Sequence, residues 1–353
     1  MYQDAAAESS LKSTVAAVSH LNYMNRQQTG KLSSWVTSSY AKALAKTNYA
    51  LSTPATAYTD STLASVYMLS VFELLVSKKD PYKLPDTNAW SEHNNGATTL
   101  LLARGQDQLK TPRGIQLFRL VHTTSLIGMM MERKVPPKPL LDMITTALDT
   151  SPRSQKQELL ISKELHLLVD MIAGGESLSS DVLEVKRAFE HEAIMDSAWQ
   201  PRGSETLHES PHRWPQQYFF SSGFVMSNWL THWASVILFH QMALDQFVDA
   251  GVSGVILHDR LALLAEVETS ADQILGSVSF AFGEIDSLGT KKHSISHGDT
   301  SHVGSAVGSV HLLWPLGVIL ACPYVSDSRK LFAQDALRCI GHVFGVSRAL
   351  HFV

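Results

Sequence analysis

The sequence predicts an all-α protein, a single large domain of roughly ten packed helices over residues 1–353. Three observations predict it. Apolar residues recur at i, i+3, i+4 spacing along most of the chain. Sustained apolar/polar alternation, which a half-buried sheet requires, is not found. Residues that start and stop helices punctuate the periodic stretches, as antiparallel packed neighbours require. No internal repeat of fixed period is present.

Residues 1–50 form an N-terminal helical segment. Over 60–77, Leu63, Val66, Tyr67, Val71, Leu74 and Leu75 make an apolar stripe, with Thr59 and Asp60 as oxygen-bearing start residues. Residues 98–103 form a short apolar helix closed by Arg104-Gly105. Thr111-Pro112 opens the next helix through Leu117, Phe118, Val121 and Ile127 to the three methionines 129–131. Pro136, Pro137 and Pro139 break it. Residues 157–172 are helical and stop at Gly174-Gly175. Ser180-Asp181 begins a helix reaching Trp199. Residues 201–215 are polar and Pro-containing and read as a loop. The longest helix covers 221–250 and stops at Gly251. Then come 253–282, with a break, and 303–321, and a last helix from Ser326 to the C-terminus. Residues 285–302, rich in Gly, Ser, Thr and His, read as a second loop.

Composition narrows the class. The formal net charge is −4 and 44% of residues are hydrophobic, which is globular and not disordered. The near-neutral balance argues against nucleic acid as a partner. Cys322 and Cys339, the only cysteines, cannot build a disulfide scaffold or a multi-cysteine zinc cluster, so a reducing, cytoplasmic location is expected. Asp4 and Glu8 stand where a secretion signal needs a basic start and an apolar run. Residues 303–326 lack Asp, Glu, Lys and Arg, but Pro315, Pro323 and His311 favour a buried helix over a membrane span. Exposed apolar helix faces would suit a homodimer.

The strings SVYMLSVFELL, AWSEHNNGATTLLLARG, LKTPRGIQLFRLV and VPPKPLL resemble the helical regulatory domain of fungal binuclear zinc-cluster transcription factors. ADQILGSVSFAFG, VHLLWPLGVILACPYV and ALRCIGHVFGVSRALHF continue the resemblance in the same order over residues 51–353. It implies an all-helical fold. The family's six-cysteine DNA-binding module has no counterpart, since no Cys precedes Cys322. With Met1 at the start, that reader is expected to be absent and not trimmed. In overall character the chain also resembles the non-conventional fungal sesquiterpene cyclases of tropolone-sesquiterpenoid pathways, the humulene synthase type. That second resemblance implies a Mg²⁺-dependent class I cyclase acting on farnesyl diphosphate. The first implies a regulatory, ligand-sensing helical domain without a DNA reader.

A diphosphate-ionising cyclase needs oxygen ligands for Mg²⁺, cations for the leaving diphosphate, and an apolar aromatic pocket. No adjacent Asp-Asp pair is present. Glu192 and Asp196 stand at i, i+4 among apolar neighbours and are the candidate metal carboxylates, with Asn228 as an amide ligand. Asp245 and Asp249 share the spacing near a helix end. Either pair also reads as a solvated helix face. His232, one turn after Asn228, is a candidate catalytic group, and the family pattern commonly carries an Arg near it; a hydrogen-bonded core pair is the competing reading. Lys291 and Lys292 are the candidate diphosphate contacts, against two solvated lysines, with Arg187 a weaker candidate. Trp229, Trp233, Phe224, Leu288 and Trp314 are the candidate pocket lining, joined by Phe219, Phe220 and Phe239, against ordinary core. Leu288 and Lys292 would stand one turn apart if the loop starts as a helix. His293, His297, Asp299 and His302 have spacings a zinc site could use, though without a helix to present them. No nucleophile elbow, P-loop or dinucleotide fingerprint occurs, so hydrolase, kinase and dehydrogenase readings lack support.

Overall fold

A computed structural model describes residues 10–27, 34–76, 87–174, 180–195, 200–204, 214–249, 256–290 and 308–353. It is 81% helical, against about a third in an ordinary globular protein, and the fold is all-α. The helices are α1 (Ser10–Arg26), α2 (Ser34–Ser52), α3 (Pro54–Ala57), α4 (Asp60–Leu75), α5 (Thr87–Arg104), α6 (Pro112–Glu132), α7 (Lys138–Thr150), α8 (Arg153–Gly174), α9 (Ser180–Met195), α10 (Gly223–Asp249), α11 (Ile256–Gly276), α12 (Val278–Ala281), α13 (Leu313–Ala321) and α14 (Asp327–His342). That is more than the ten expected. Among the described residues the only sheet is a two-stranded antiparallel ribbon, β1 (Arg202–Ser204) and β2 (Gln217–Phe219), with Gly203 opposite Tyr218. β1 falls inside the segment 201–215 read as a loop, and β2 just beyond its end. Three residues are too few for an alternating pattern to register.

The helices gather into two compact units. One comprises Met1–Gly174 with Gly341–Arg348, the other Gly175–Ile340 with Ala349–Val353. In the first unit, α1 packs on α2 and α4, α4 on α5, α5 on α6, and α6 and α7 on α8. In the second, α10 packs on α11 and α13, and β2 lies against α11 and α12. Short connections make each helix the partner of a near neighbour in sequence.

Local chemistry sets the helix ends. Thr59 caps α4, its hydroxyl accepting from the Thr62 N–H, and Thr111 caps α6 by accepting from Gly114 N–H at 3.0 Å. Pro112 occupies the first turn of α6, where no N–H is needed. Pro139 does the same for α7, so one of the three breaking prolines opens the next helix. The expected break in 253–282 falls at Ser277, between α11 and α12. The last helix stops at His342; Gly345, at φ 71, turns the chain into a 3-10 turn over Ser347–His351. Asn22 and Asn25 of α1 donate to the Phe344 and Gly345 carbonyls and tie this turn into the first unit. At the turn before α6, the backbone comes so close that a Cβ on Gly114 would lie 1.9 Å from the Gln108 carbonyl oxygen.

The core of the first unit is built on Leu63, Leu101, Ile115, Phe118, Leu140, Ile144 and Leu159, all nearly solvent-free. A polar layer crosses it between α6 and α8. Arg119 and Glu158 are both buried. Burial holds Arg119 down to about 10, against the opposing pull of Glu158, and pushes the Glu158 carboxyl up to about 7. Desolvation outweighs attraction at both partners. One turn further, His122 Nε2 meets His166 Nδ1 at 3.2 Å. Burial and the neighbouring His166 hold His122 well below its usual value; burial lowers His166 to about 4, against a smaller opposing effect of Asp142.

Two outcomes follow from this packing. Gly114→Ala forces a side chain into backbone and should destabilise by about 2–3 kcal/mol, read as a lower urea midpoint with an unchanged slope. The imidazoles of His122 and His166 bind protons more readily unfolded, near pH 6.5, than folded. Their stabilising contribution is complete above that pH and is lost as pH falls from about 6.5 through 4. Glu158, raised when folded, acts in the opposite sense: its contribution is present below about 4.5 and lost as pH rises through about 7. Glu158→Gln should therefore steepen the acid-side fall of urea stability between pH 7 and 4.5.

Candidate functional site

Of the candidate residues of the sequence, Phe224, Asn228, Trp229, His232 and Trp233 stand on α10. From Val225 to Ile237 every residue of this helix is buried, so this stretch has no solvated face. Its polar side chains must therefore find partners inside. Thr231 donates to the Ser227 carbonyl at 2.8 Å and Ser235 to the Thr231 carbonyl at 3.0 Å, the local solution open to short hydroxyls. His232 reaches across to α9, where Glu190 Oε1 lies 3.3 Å from its Nε2. Asn228 is fully buried, and among the described residues neither its amide oxygen nor its amide nitrogen has a hydrogen-bond partner. An unpaired buried amide costs free energy that a bound ligand can recover.

Rings surround this polar line. Trp229 and Trp233 lie one turn apart, with ring centroids 5.3 Å from each other. Phe189 of α9 meets Trp229 edge-on at 5.2 Å and the His232 ring at 4.8 Å. Tyr218 of β2 and the adjoining Phe220 meet Trp233 at 5.9 and 6.3 Å, and Phe220 contacts Phe280 of α12 at 5.3 Å. The short ribbon thus brings two aromatics to a helix thirty residues from α9. Phe224 and Trp314 are partly buried on α10 and α13; the Trp314 N–H has no hydrogen-bond partner among the described residues.

Glu190 carries the local electrostatics. Its burial pushes the carboxyl up, but the His232 hydrogen bond and charge, with Lys186 and Arg187, outweigh this and leave it below the usual value. Lys186 Nζ lies 3.8 Å from the same oxygen. Two turns along α10, buried His240 is lowered to about 4, first by desolvation, then by Lys186, with Glu190 opposing.

Asn228, Trp229, His232 and Trp233 are therefore brought together, and Phe189, Tyr218 and Glu190 are added to what the sequence pointed to. Glu190 could have been found from its i, i+4 spacing with Lys186, but the sequence gives no sign that His232 faces it. The other assignments fare differently. Leu288 does not line the aromatic cluster: it is 76% exposed. Its segment is not helical either. Asp286 Oδ1 accepts from the N–H groups of Leu288 and Thr290, both at 2.9 Å, and folds a tight turn. Gly289, at φ 79, completes that turn against the Phe219 ring, where a Cβ would come within 2.7 Å. Asp245 is exposed and accepts from the Tyr324 hydroxyl at 2.7 Å. Asp196, Lys291, Lys292, His293, His297, Asp299 and His302 lie outside the described residues, as do the side chains of Glu192 and Asp249. Among the described residues, no three His, Cys, Asp or Glu side chains gather as a metal site. Both cysteines are free thiols, and no described helix is long and apolar enough to cross a membrane.

Compared with known proteins, the chain matches no family model, no curated protein and no solved structure.

Glu190→Ala removes one partner of a buried imidazole. It should lower stability by about 1–2 kcal/mol at pH 7, measured by urea unfolding, with Glu190→Gln retaining most of it.

Proposed function

We propose that this protein is a class I-type sesquiterpene cyclase that converts farnesyl diphosphate to a cyclic hydrocarbon such as humulene, releasing diphosphate. The observation that carries the reading is the set of touching rings, Phe189, Tyr218, Phe220, Trp229 and Trp233, packed around the buried polar residues of α10. Isoprenoid cyclisation needs water excluded and positive charge met by ring faces, each contact contributing about 0.5–2 kcal/mol. The resemblance to the humulene synthase type supplies the substrate class.

The reading implies Mg²⁺. The buried amide oxygen of Asn228, unpartnered among the described residues, fits its preference for oxygen ligands. Glu192 and Asp196 are the proposed carboxylate ligands with it. The ion, when bound, supplies charge to the departing diphosphate. The protein's own groups do the rest. Trp229 and Trp233 present ring faces to developing positive charge. The Glu190 carboxylate orients the His232 ring and fixes where its proton sits, which suits His232 to accept a proton as the reaction ends. Lys291 and Lys292 are the proposed diphosphate contacts. The second reading, a regulatory ligand-sensing helical domain, shares the all-α fold.

Purified protein with farnesyl diphosphate and Mg²⁺ should release a cyclic hydrocarbon, detected by volatile analysis, and chelation should abolish it. Asn228→Ala should lower turnover by about a hundredfold or more, and Trp229→Leu should alter the product mixture. No hydrocarbon above a no-enzyme control would remove the cyclase reading and leave the regulatory one.

A further inference from the structure

The first unit carries a surface of a different kind. Residues 9–59 contain Lys12, Arg26, Lys31, Lys42 and Lys46 and no Asp or Glu, within a chain whose net charge is −4. Lys31 lies outside the described residues; the other four stand on α1 and α2, which pack against each other. Helix α2 buries Val36, Ala43, Thr47 and Ala50. Trp35, Lys42, Lys46 and Tyr49 follow one another at i, i+7, i+11 and i+14, which at 100° per residue confines them to a stripe about 60° wide, away from that buried face. Lys12, Ser19, Tyr23 and Arg26 repeat the spacing on α1, away from buried Leu11, Thr14, Ala17 and Leu21.

The aromatics of these stripes are outside. Trp35 is 53% exposed, Tyr23 60% and Tyr49 73%, and Tyr58, just beyond α3, is 58%. Trp35 is also held in place. Its ring stacks on His20 with centroids 3.5 Å apart, and His20 Nδ1 lies 3.1 Å from the Ser39 hydroxyl. A large apolar ring kept ordered in water, beside lysines and with no carboxylate on its helices, suits a surface that is anionic above and apolar below.

We propose that the α1–α2 hairpin docks on an anionic phospholipid surface. Lysines meet the headgroup phosphates and carboxylates, and Trp35, Tyr49 and Tyr23 settle at headgroup depth, where amphipathic rings are favoured. A second copy of the chain is a poorer occupant, because two such faces would bring like charges together. A nucleic acid would use the cations but leave the chain's overall negative charge opposing it. The proposal does not rest on the cyclase reading.

The test is co-sedimentation of the full-length protein with phosphatidylcholine vesicles and with phosphatidylserine-rich vesicles, at low and high salt. Binding is expected to the anionic vesicles, weaker at high salt, and about twentyfold or more weaker for Lys42→Glu/Lys46→Glu. Trp35→Ala should weaken binding while preserving its salt dependence. The control Lys110→Glu/Lys138→Glu, with the same change of charge elsewhere in the unit, should stay within about twofold of wild type. Circular dichroism should show all variants folded, since these side chains are at the surface. No sedimentation with either vesicle, equal binding to both, equal loss in the control, or tight binding to a single-stranded oligonucleotide without vesicle binding would each overturn the proposal.

Discussion

A helical stretch without a solvated face, such as residues 225–237 of α10, has to account for every polar side chain it carries. That constraint governs α10 and, through it, the second unit. Ser and Thr settle the account within the helix, by bonding back to the preceding turn. His232 turns its Nε2 toward α9, which supplies Glu190. Phe189 comes with it, because it stands next to Glu190 on the same helix and packs on Trp229 and His232. The β-ribbon serves the opposite end, delivering Tyr218 and Phe220 to Trp233. Among the described residues, both polar atoms of the Asn228 amide are left without hydrogen-bond partners, and a well-packed protein keeps such a group only where something else gives a return on it.

The first unit meets the same constraint with charge. Arg119 and Glu158 lie where attraction and desolvation oppose each other, and desolvation prevails in both. The His122–His166 contact avoids the problem by staying neutral over the physiological range. These groups make the α6–α8 interface sensitive to pH in two directions.

The fold class was legible because helical periodicity accumulates over long segments. The bounds of α4, α6 and α8 follow from Thr59, from Thr111-Pro112 and from Gly174, residues whose chemistry is local. The ribbon was not legible, since three residues carry no period. Nor was the gathering of the helices into two units, which depends on which faces meet and not on any composition shift. Within the candidate site, Asn228, Trp229, His232 and Trp233 could be grouped because they lie on one helix. Glu190 could not, because a contact between α9 and α10 leaves no trace in spacing. Leu288 was misplaced for a specific reason: Asp286 bonds its own backbone two and four residues on, and this local turn displaces the helix that would have turned Leu288 inward.

The central claim is that the ring-lined core of α10 receives an isoprenoid diphosphate. The most direct measurement is a crystal structure of the protein soaked with Mg²⁺ and the unreactive thio-analogue of farnesyl diphosphate. The account predicts the hydrocarbon chain against Trp229 and Trp233, and the Asn228 amide oxygen within about 2.1 Å of a metal ion that also touches the diphosphate. An analogue bound on another surface, or a core around Asn228 unchanged and closed at saturating analogue, would contradict it.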